Sequence, residues 1–362
     1  MQISVSRLSR AIVALLAAVG LVVVPGVGAA AASTPTVKLM TRNMYIGADL
    51  TPVVQATSLP QFLTATAQTF MKVQASDPRE RIKAIAREIA DADPMIIGLQ
   101  EVELIETDTD PPTNDGPATP ANTTAFDFLQ MLLGELASQG TPYKLVTSAT
   151  NVTAEVPTAL GFDVKATDRD VILAKANLPS DELSWANQHS ASFTTNLTLP
   201  TVAGPLTFTR GYNVADFTAN KRAFRLVNTH LEAFSNAIRS VQAAELLTGV
   251  LGSATDKHVL VGDINSDPRE TGTNPYDLFA GAGFVDSWTQ ANPSSAGLSC
   301  CFGELLNDPD ASVFDSRIDV VLTRNADDAA RRARIYGTDP DNRTPSDLWP
   351  SDHAGVASTI AP

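Results

Sequence analysis

The chain has 362 residues, 44% of them hydrophobic and 18% charged, with a formal net charge of −14. This is an ordinary globular balance, enough for one large domain or two small ones, and an acidity that excludes holding nucleic acid by bulk attraction. A polyanion remains a possible substrate only if a cation in the site offsets the charge locally.

Residues 1–32 read as a secretory signal peptide. Arg7 and Arg10 give a positive start, residues 11–24 are almost wholly apolar, and the small residues around Ala32 offer a cleavage site. An uncleaved anchor helix is the alternative, but the apolar run is short for a span. No cysteine follows the run, which argues against a lipid anchor. Cleavage removes two arginines, so the formal charge goes from −14 to −16. The mature chain is expected to be secreted, without a membrane span, and monomeric.

From residue 37 onward, short apolar runs bounded by turn residues recur to the end. They predict strands at 37–40, 95–99, 143–146, 171–174, 206–208, 224–227, 258–261, 318–322 and 354–358. Helical periodicity is clearest at 78–89, where Ile82, Ile85, Ala86 and Ile89 form one stripe, and again at 125–136 and 237–250. Residues 108–123 and 338–350, rich in Asp and Pro, predict surface loops. Strands and helices mix without the regular alternation of a doubly wound parallel sheet. The expected fold is α+β, with two packed sheets and helices outside, in one domain over residues 36–362. The two cysteines, Cys300 and Cys301, are adjacent and close no loop. They form either a vicinal bridge shaping a loop near a site or two thiols paired differently.

Polar residues sit at the ends of these runs in a telling order. Asn43 follows the first strand and Glu101 closes the second. Arg169 and Asp170 open the strand at 171, and His230 closes the one at 224. Asp263-Ile264-Asn265 closes the strand at 258, Arg317 and Asp319 open the one at 318, and Asp352-His353 opens the last. Antiparallel neighbours would gather these groups on one edge of a sheet pair. Each also has a plain reading: Asn43 as a turn residue, Glu101 as a solvated strand end, His230 as a hydrogen-bonded strand-end histidine. Asp319 is more telling, because a carboxylate inside an apolar strand costs several kcal/mol unless it is paired. His353 is its natural partner, since a carboxylate fixes an imidazole's tautomer. Asp263 beside Asn265 suits holding a water and a phosphoryl oxygen together. Asp352 is a metal ligand or a turn former. Arg317 binds phosphate or pairs with a nearby acid. Carboxylates and an amide are hard oxygen ligands, which favour Mg²⁺, Mn²⁺ or Ca²⁺ over zinc.

This ordered set resembles the endonuclease/exonuclease/phosphatase superfamily, the DNase I-like group that includes nucleases, neutral sphingomyelinases and inositol-phosphate phosphatases. The matching motifs are Thr41-Arg42-Asn43, Gln100-Glu101, Thr229-His230-Leu231, Gly262-Asp263-Ile264-Asn265, Arg317-Ile318-Asp319 and Ser351-Asp352-His353, spanning almost all of the mature chain. The resemblance implies a four-layer sandwich of two mixed β-sheets packed face to face and flanked by helices. It also implies metal-dependent hydrolysis of a phosphoester: a nucleic acid, a phospholipid or a phosphorylated small molecule. Carried over, Glu101 is the principal Mg²⁺ ligand, with Asn43 in support and Asp352 completing the site. His353, oriented by Asp319, acts on the attacking water or the developing charge. Asp263 orients or deprotonates the water, Asn265 holds a phosphoryl oxygen, and His230 stabilises the transition state or protonates the leaving oxygen. Two departures stand out. The 167–170 region lacks the tyrosine common in family nucleases, with Arg169 as a replacement phosphate contact. Ile264 stands where phenylalanine is common. The reading from another class is a secreted, non-catalytic binding protein on the same fold.

Overall fold

A computed structural model describes residues 34–109 and 112–362; the expected signal segment lies outside the described residues. In chain order the strands are β1 (Val37–Asn43), β2 (Ile96–Gln100), β3 (Leu104–Thr107), β4 (Thr123–Asp127), β5 (Tyr143–Pro157), β6 (Asp163–Lys175), β7 (Leu183–Ser192), β8 (Leu197–Thr201), β9 (Gly204–Phe208), β10 (Gly211–Ala219), β11 (Arg222–His230), β12 (His258–Asp263), β13 (Val285–Asp286), β14 (Asp319–Arg324), β15 (Asp328–Tyr336) and β16 (Gly355–Ala361). The helices are α1 (Thr51–Val54), α2 (Leu59–Ala75), α3 (Pro78–Ala92), α4 (Phe128–Ser138), α5 (Asn236–Thr248), α6 (Pro275–Gly281) and α7 (Ser287–Ala291). Residues 35–362 pack as one unit.

Two sheets carry the fold. One runs β15-β16-β1-β2-β6-β3-β4, with β5 also paired to β6; the other runs β13-β14-β12-β11-β10-β7. Their central strands are apolar on both faces because both faces are covered. Leu39, Ile96 and Ile172 of the first sheet meet Phe217, Leu226, Val259 and Val261 of the second in one buried core. The outer face of the first sheet packs through Leu99 and Val171 on Ile82, Ile85 and Leu132 of α3 and α4. The outer face of the second packs through Val227 and Leu260 on Leu246 and Phe279 of α5 and α6. This helix–sheet–sheet–helix order is the four-layer sandwich expected. Where β2 faces β11 and β12 of the other sheet, it has Gly98. A Cβ there would lie 2.5 Å from both Asn228 Oδ1 and Val261 Cγ2.

Several local expectations need correction. The helix expected from residue 125 begins at Phe128, because Ala125 to Asp127 extend β4 and the Asp127 carboxylate caps the helix at Gln130 N. The 17-residue α2 was not foreseen, although its buried stripe includes Phe62, Thr66, Phe70 and Val73. Its threonines dilute the apolar pattern. Nor were β7 and β10, whose polar residues interrupt the apolar run. Antiparallel neighbours were expected around the site, yet β1 with β2 and β11 with β12 are parallel. A parallel pair sets two carboxyl ends side by side, which gathers strand-end residues more directly.

Candidate functional site

The site lies where the carboxyl ends of β1, β2, β11 and β12 meet the amino ends of β14 and β16. Parallel pairing puts Asn43 beside Gln100 and His230 beside Asp263. Antiparallel pairing of β12 with β14 sets Asp319 opposite Asp263. β16 runs antiparallel to β1, so the segment entering it carries Asp352 and His353 to the same edge. Past each strand the chain turns aside. Glu101 and Asn265 have φ of +53° and +49°, left-handed conformations that cost a non-glycine residue about 1 kcal/mol or more. Strand alternation therefore does not place Asn265, but the turn returns it to the cleft that Asp263 lines. Gly262 permits the close approach of β12 to β11: its φ is +146°, and a Cβ would lie 2.0 Å from Thr229 O.

The structure brings eight of the ten expected site residues together. Asn43 Nδ2 donates to Glu101 Oε1 at 3.1 Å and to Asp263 Oδ2 at 3.2 Å. Glu101 Oε2 accepts from Ile46 N at 2.7 Å. Asp319 Oδ2 lies 2.9 Å from His353 Nδ1 and accepts from the Ser299 hydroxyl at 2.7 Å. Asp263 Oδ2 lies 3.6 Å from His230 Nε2 and 3.8 Å from His353 Nε2. Asp352 Oδ1 lies 3.9 Å from His353 Nε2. Asn265 Nδ2 donates to Leu231 O at 2.9 Å, and its backbone N–H donates to Asp263 Oδ1 at 2.9 Å.

Electrostatics sort these groups. Burial pushes the Asp263 carboxyl up to about 7, with His353 pulling it down and Asp319 adding to the rise. Burial raises Asp352 to about 6, opposed by His353 and reinforced by Glu101. Burial works against charge on His353, but Asp319, Asp352 and Asp263 overcome it and hold the ring well above its ordinary value. His230 moves the other way, well below the ordinary value, through burial and the cations Arg210 and His353.

Two expected residues stand apart. Arg169 spends its guanidinium on the carbonyls of Val102 and Glu103 and on the Asp127 carboxylate. Alternation along β6 turns Asp168 into the cleft and Arg169 away from it. Arg317 pairs with Asp286, bonds Thr289 Oγ1 at 3.3 Å, and lies over the Tyr276 ring. Neither reaches the cleft, so the expectation that they hold phosphate is corrected. The basic residue that does reach it, Arg210, was missed. Its Nη1 lies 3.2 Å from Asp168 Oδ2 and 3.0 Å from His230 Nδ1. It sits in the turn before β10, the strand whose pattern was not recognised.

Cys300 and Cys301 form a disulfide, the loop-shaping alternative, and Cys300 Sγ lies 3.7 Å from His353 Nε2. Beneath the site Arg81 is fully buried and donates to the carbonyls of Met44, Tyr45, Ser76 and Pro350. Burial lowers its pKa to about 10.

Asn43, Glu101 and Asp352 fit a hard divalent cation. Glu101 and Asp352 offer carboxylate oxygens, with Glu101 near enough to oppose ionisation of Asp352, while Asn43 steadies Glu101 through its Nδ2 and would need its amide turned to offer the oxygen that now accepts from Tyr45 N. A second buried group, Asp263, Asp319 and His353, has ligand-type atoms within 4.8 Å of one another. Its Asp319 and His353 atoms are already joined by a hydrogen bond, which suits a proton-handling couple better than a metal shell.

The model of the Endonuclease/Exonuclease/phosphatase family matches residues 68–353. An endonuclease/exonuclease/phosphatase family protein of Bacteroides thetaiotaomicron aligns with a TM-score of 0.54 at 15% identity, covering 90% of this chain and 97% of that one. A Bacteroides vulgatus endonuclease/exonuclease/phosphatase aligns at 0.52 and 15%, covering 90% and 98%. The mannosyl-6-phosphatase of B. thetaiotaomicron also aligns at 0.52 and 15%, covering 90% and 99%. At such identities these likenesses establish the fold alone. No curated protein matches the sequence.

Proposed function

We propose that this chain, which belongs to the endonuclease/exonuclease/phosphatase family, is an exported, divalent-metal-dependent phosphoester hydrolase. The observation that carries this reading is the joint placement of His230, Asp263, His353, Glu101 and Asp352 along one cleft, with buried Asp319 behind His353 and buried Asn43 bonded to Glu101 and Asp263.

Asn43, Glu101 and Asp352 would hold Mg²⁺, Mn²⁺ or Ca²⁺, and a bound cation supplies charge neutralisation for a phosphoryl oxygen. Asp263, with its pKa near 7, is placed to take a proton from water as the water oxygen bonds to phosphorus. Asn265 orients the same group through its backbone N–H and keeps one amide hydrogen free for a phosphoryl oxygen. His353 carries a positive charge that Asp319 supports, and its Nε2–H is directed toward Asp263 and Asp352. It can stabilise the developing charge and return a proton to the leaving oxygen. Arg210 only donates, so His230 Nδ1 accepts and Nε2 carries the hydrogen. A neutral imidazole of low basicity donates a hydrogen bond and keeps its proton. Of the two roles expected for His230, transition-state stabilisation is the one the geometry favours.

The test is hydrolysis of a chromogenic phosphodiester by the mature chain with Mg²⁺, Mn²⁺ or EDTA, alongside Glu101→Ala. Activity that needs the metal and is lost in the folded variant is expected. No metal-dependent hydrolysis of any phosphodiester or phosphomonoester would overturn the reading in favour of a binding protein. Export is checked by N-terminal mass analysis of the secreted chain, with a start near residue 33 expected.

A further inference from the structure

The catalytic groups occupy one end of a much longer cleft of ≈ 1000 Å³. The remainder is a furrow lined by residues of α1, α2, β5 and the β8–β9 hairpin. Ile46, Val53, Phe62, Phe70, Leu206 and Phe234 are among the side chains that line it. Phe234 follows His230 by four residues, is 58% exposed, and meets Phe208 edge-on at 5.5 Å. The apolar lining is therefore continuous with the reacting end. Apolar side chains left open in a cleft mark where an apolar ligand is desolvated.

The charge of the same cleft is the second observation. Among its described lining residues Arg210 is the only Lys or Arg, and it is bound to Asp168. Nine Asp and Glu line the same cleft, including Asp49, Asp115 and Glu155 away from the reacting end. A polynucleotide needs a row of cations along its backbone, and a polyphosphorylated sugar needs several around its ring. Here a second phosphate would face carboxylates.

We infer that the substrate carries a single phosphoester group joined to an apolar alcohol, the phosphate at the Asp263–His353 end and the apolar part along the furrow. This deepens the proposed hydrolase reading and rests on it.

The experiment uses methyl p-nitrophenyl phosphate and hexyl p-nitrophenyl phosphate, both below micelle-forming concentrations, with Mg²⁺. Water adds to phosphorus, p-nitrophenolate leaves, and the alkyl phosphate remains. One fully buried methylene is worth roughly fourfold in binding, so partial burial of the added methylenes is expected to raise kcat/KM by at least about tenfold. Leu206→Ser and Phe234→Ser, made separately at non-core positions, are expected to shrink the hexyl-to-methyl ratio while thermal unfolding stays cooperative. Equal rates for both esters would overturn the inference and leave the hydrolase reading standing. So would faster cleavage of a DNA or RNA oligonucleotide than of the hexyl ester. If neither ester, nor the oligonucleotides, nor p-nitrophenyl phosphate as a monoester is hydrolysed, the hydrolase reading itself fails.

Discussion

Asp319→Asn is the sharpest test of how the site is wired. Asp319 is buried, and its Oδ2 receives two hydrogen bonds, from Ser299 at 2.7 Å and His353 at 2.9 Å. Asparagine keeps the shape and removes the charge. Two charges about 4 Å apart at an effective dielectric of about 20 interact by roughly 4 kcal/mol, or about three orders of magnitude in rate if that support is needed in the transition state. The substituted amide also has two ways to sit. With its carbonyl toward the ring it preserves the Nδ1–H tautomer; with its NH₂ toward the ring it imposes the other one. The expected fall in kcat is therefore about 10²- to 10⁴-fold. KM should change little, because no Asp319 atom lines the cleft. The assay is steady-state hydrolysis of a p-nitrophenyl phosphodiester under saturating Mg²⁺, with melting temperature as the control for folding. Ser299→Ala, which removes one of the two donors, should give a smaller fall in the same direction. A folded Asp319→Asn protein that keeps more than a tenth of its kcat would refute the claim that the Asp319–His353 couple does the chemistry.

Arg210→Gln removes both the partner of buried Asp168 and the donor to His230 Nδ1. It should lower kcat and cost roughly 3 kcal/mol in urea unfolding by leaving a buried carboxylate unpaired, with Arg210→Lys closer to wild type on both readouts. Gly98→Ala places a methyl group 2.5 Å from Asn228 and Val261 and should destabilise by about 1–3 kcal/mol, read as a lower urea midpoint; an unchanged midpoint would mean the sheets are not in contact there. His258, at the far end of β12 from the site, is held below its ordinary value by burial and by Arg324, which lies 3.1 Å from its Nδ1. The unfolded chain therefore takes up this proton first, and stability falls as pH drops below about 6.5, by at most about 1.4 kcal/mol per pH unit for this group. His258→Gln should flatten the melting-temperature profile between pH 6.5 and 5, and a parallel profile would count against a suppressed His258.

The fold was legible because the central strands are buried on both faces. Such strands read as unbroken apolar runs, as in Val259-Leu260-Val261, and their polar ends stand out against them. Asn43, Glu101, His230, Asp263 and His353, which the structure draws together, stand out this way. What was illegible is local and has a common physical cause. β7 is an edge strand whose consecutive Asn187, Gln188, His189 and Ser190 are all exposed, so it carries little hydrophobic signal. α2 buries Thr66 by returning its hydroxyl to the carbonyls of Phe62 and Leu63, so a polar letter occupies a core position. Arg169 and Arg317 share a chemical type with a phosphate ligand, and sequence does not say which acid an arginine will meet first. Both met one away from the cleft, Asp127 half-buried at the end of β4 and Asp286 in the interior. Arg210 met Asp168 as well, but at the rim of the cleft, with a second N–H left for His230.

The least readable part of the site is the segment that orients its most readable pair. Ser299 and Cys300 donate their backbone N–H groups to Ser316 O, just ahead of β14, while Ser299 O accepts from Ala354 N and Asp352 O accepts from Phe302 N. One short segment thus ties the approach to Asp319 to the approach to His353. It is anchored outward by Phe302, stacked on Trp349 at 4.4 Å, and inward by the Ser299 hydroxyl on Asp319. On the other side the Arg42 guanidinium, paired with buried Glu88, donates to His353 O. The imidazole is therefore clamped through backbone and side chain alike by residues from four separate stretches of sequence. Residues 299–302 belong to no strand or helix, and they meet the reacting groups through Asp319 and His353. An imidazole held this way loses little freedom when substrate arrives, which is the condition for a charged donor to act at full strength on the transition state. The strand ends supply the chemical groups, and the irregular chain around residues 299–302 supplies their aim.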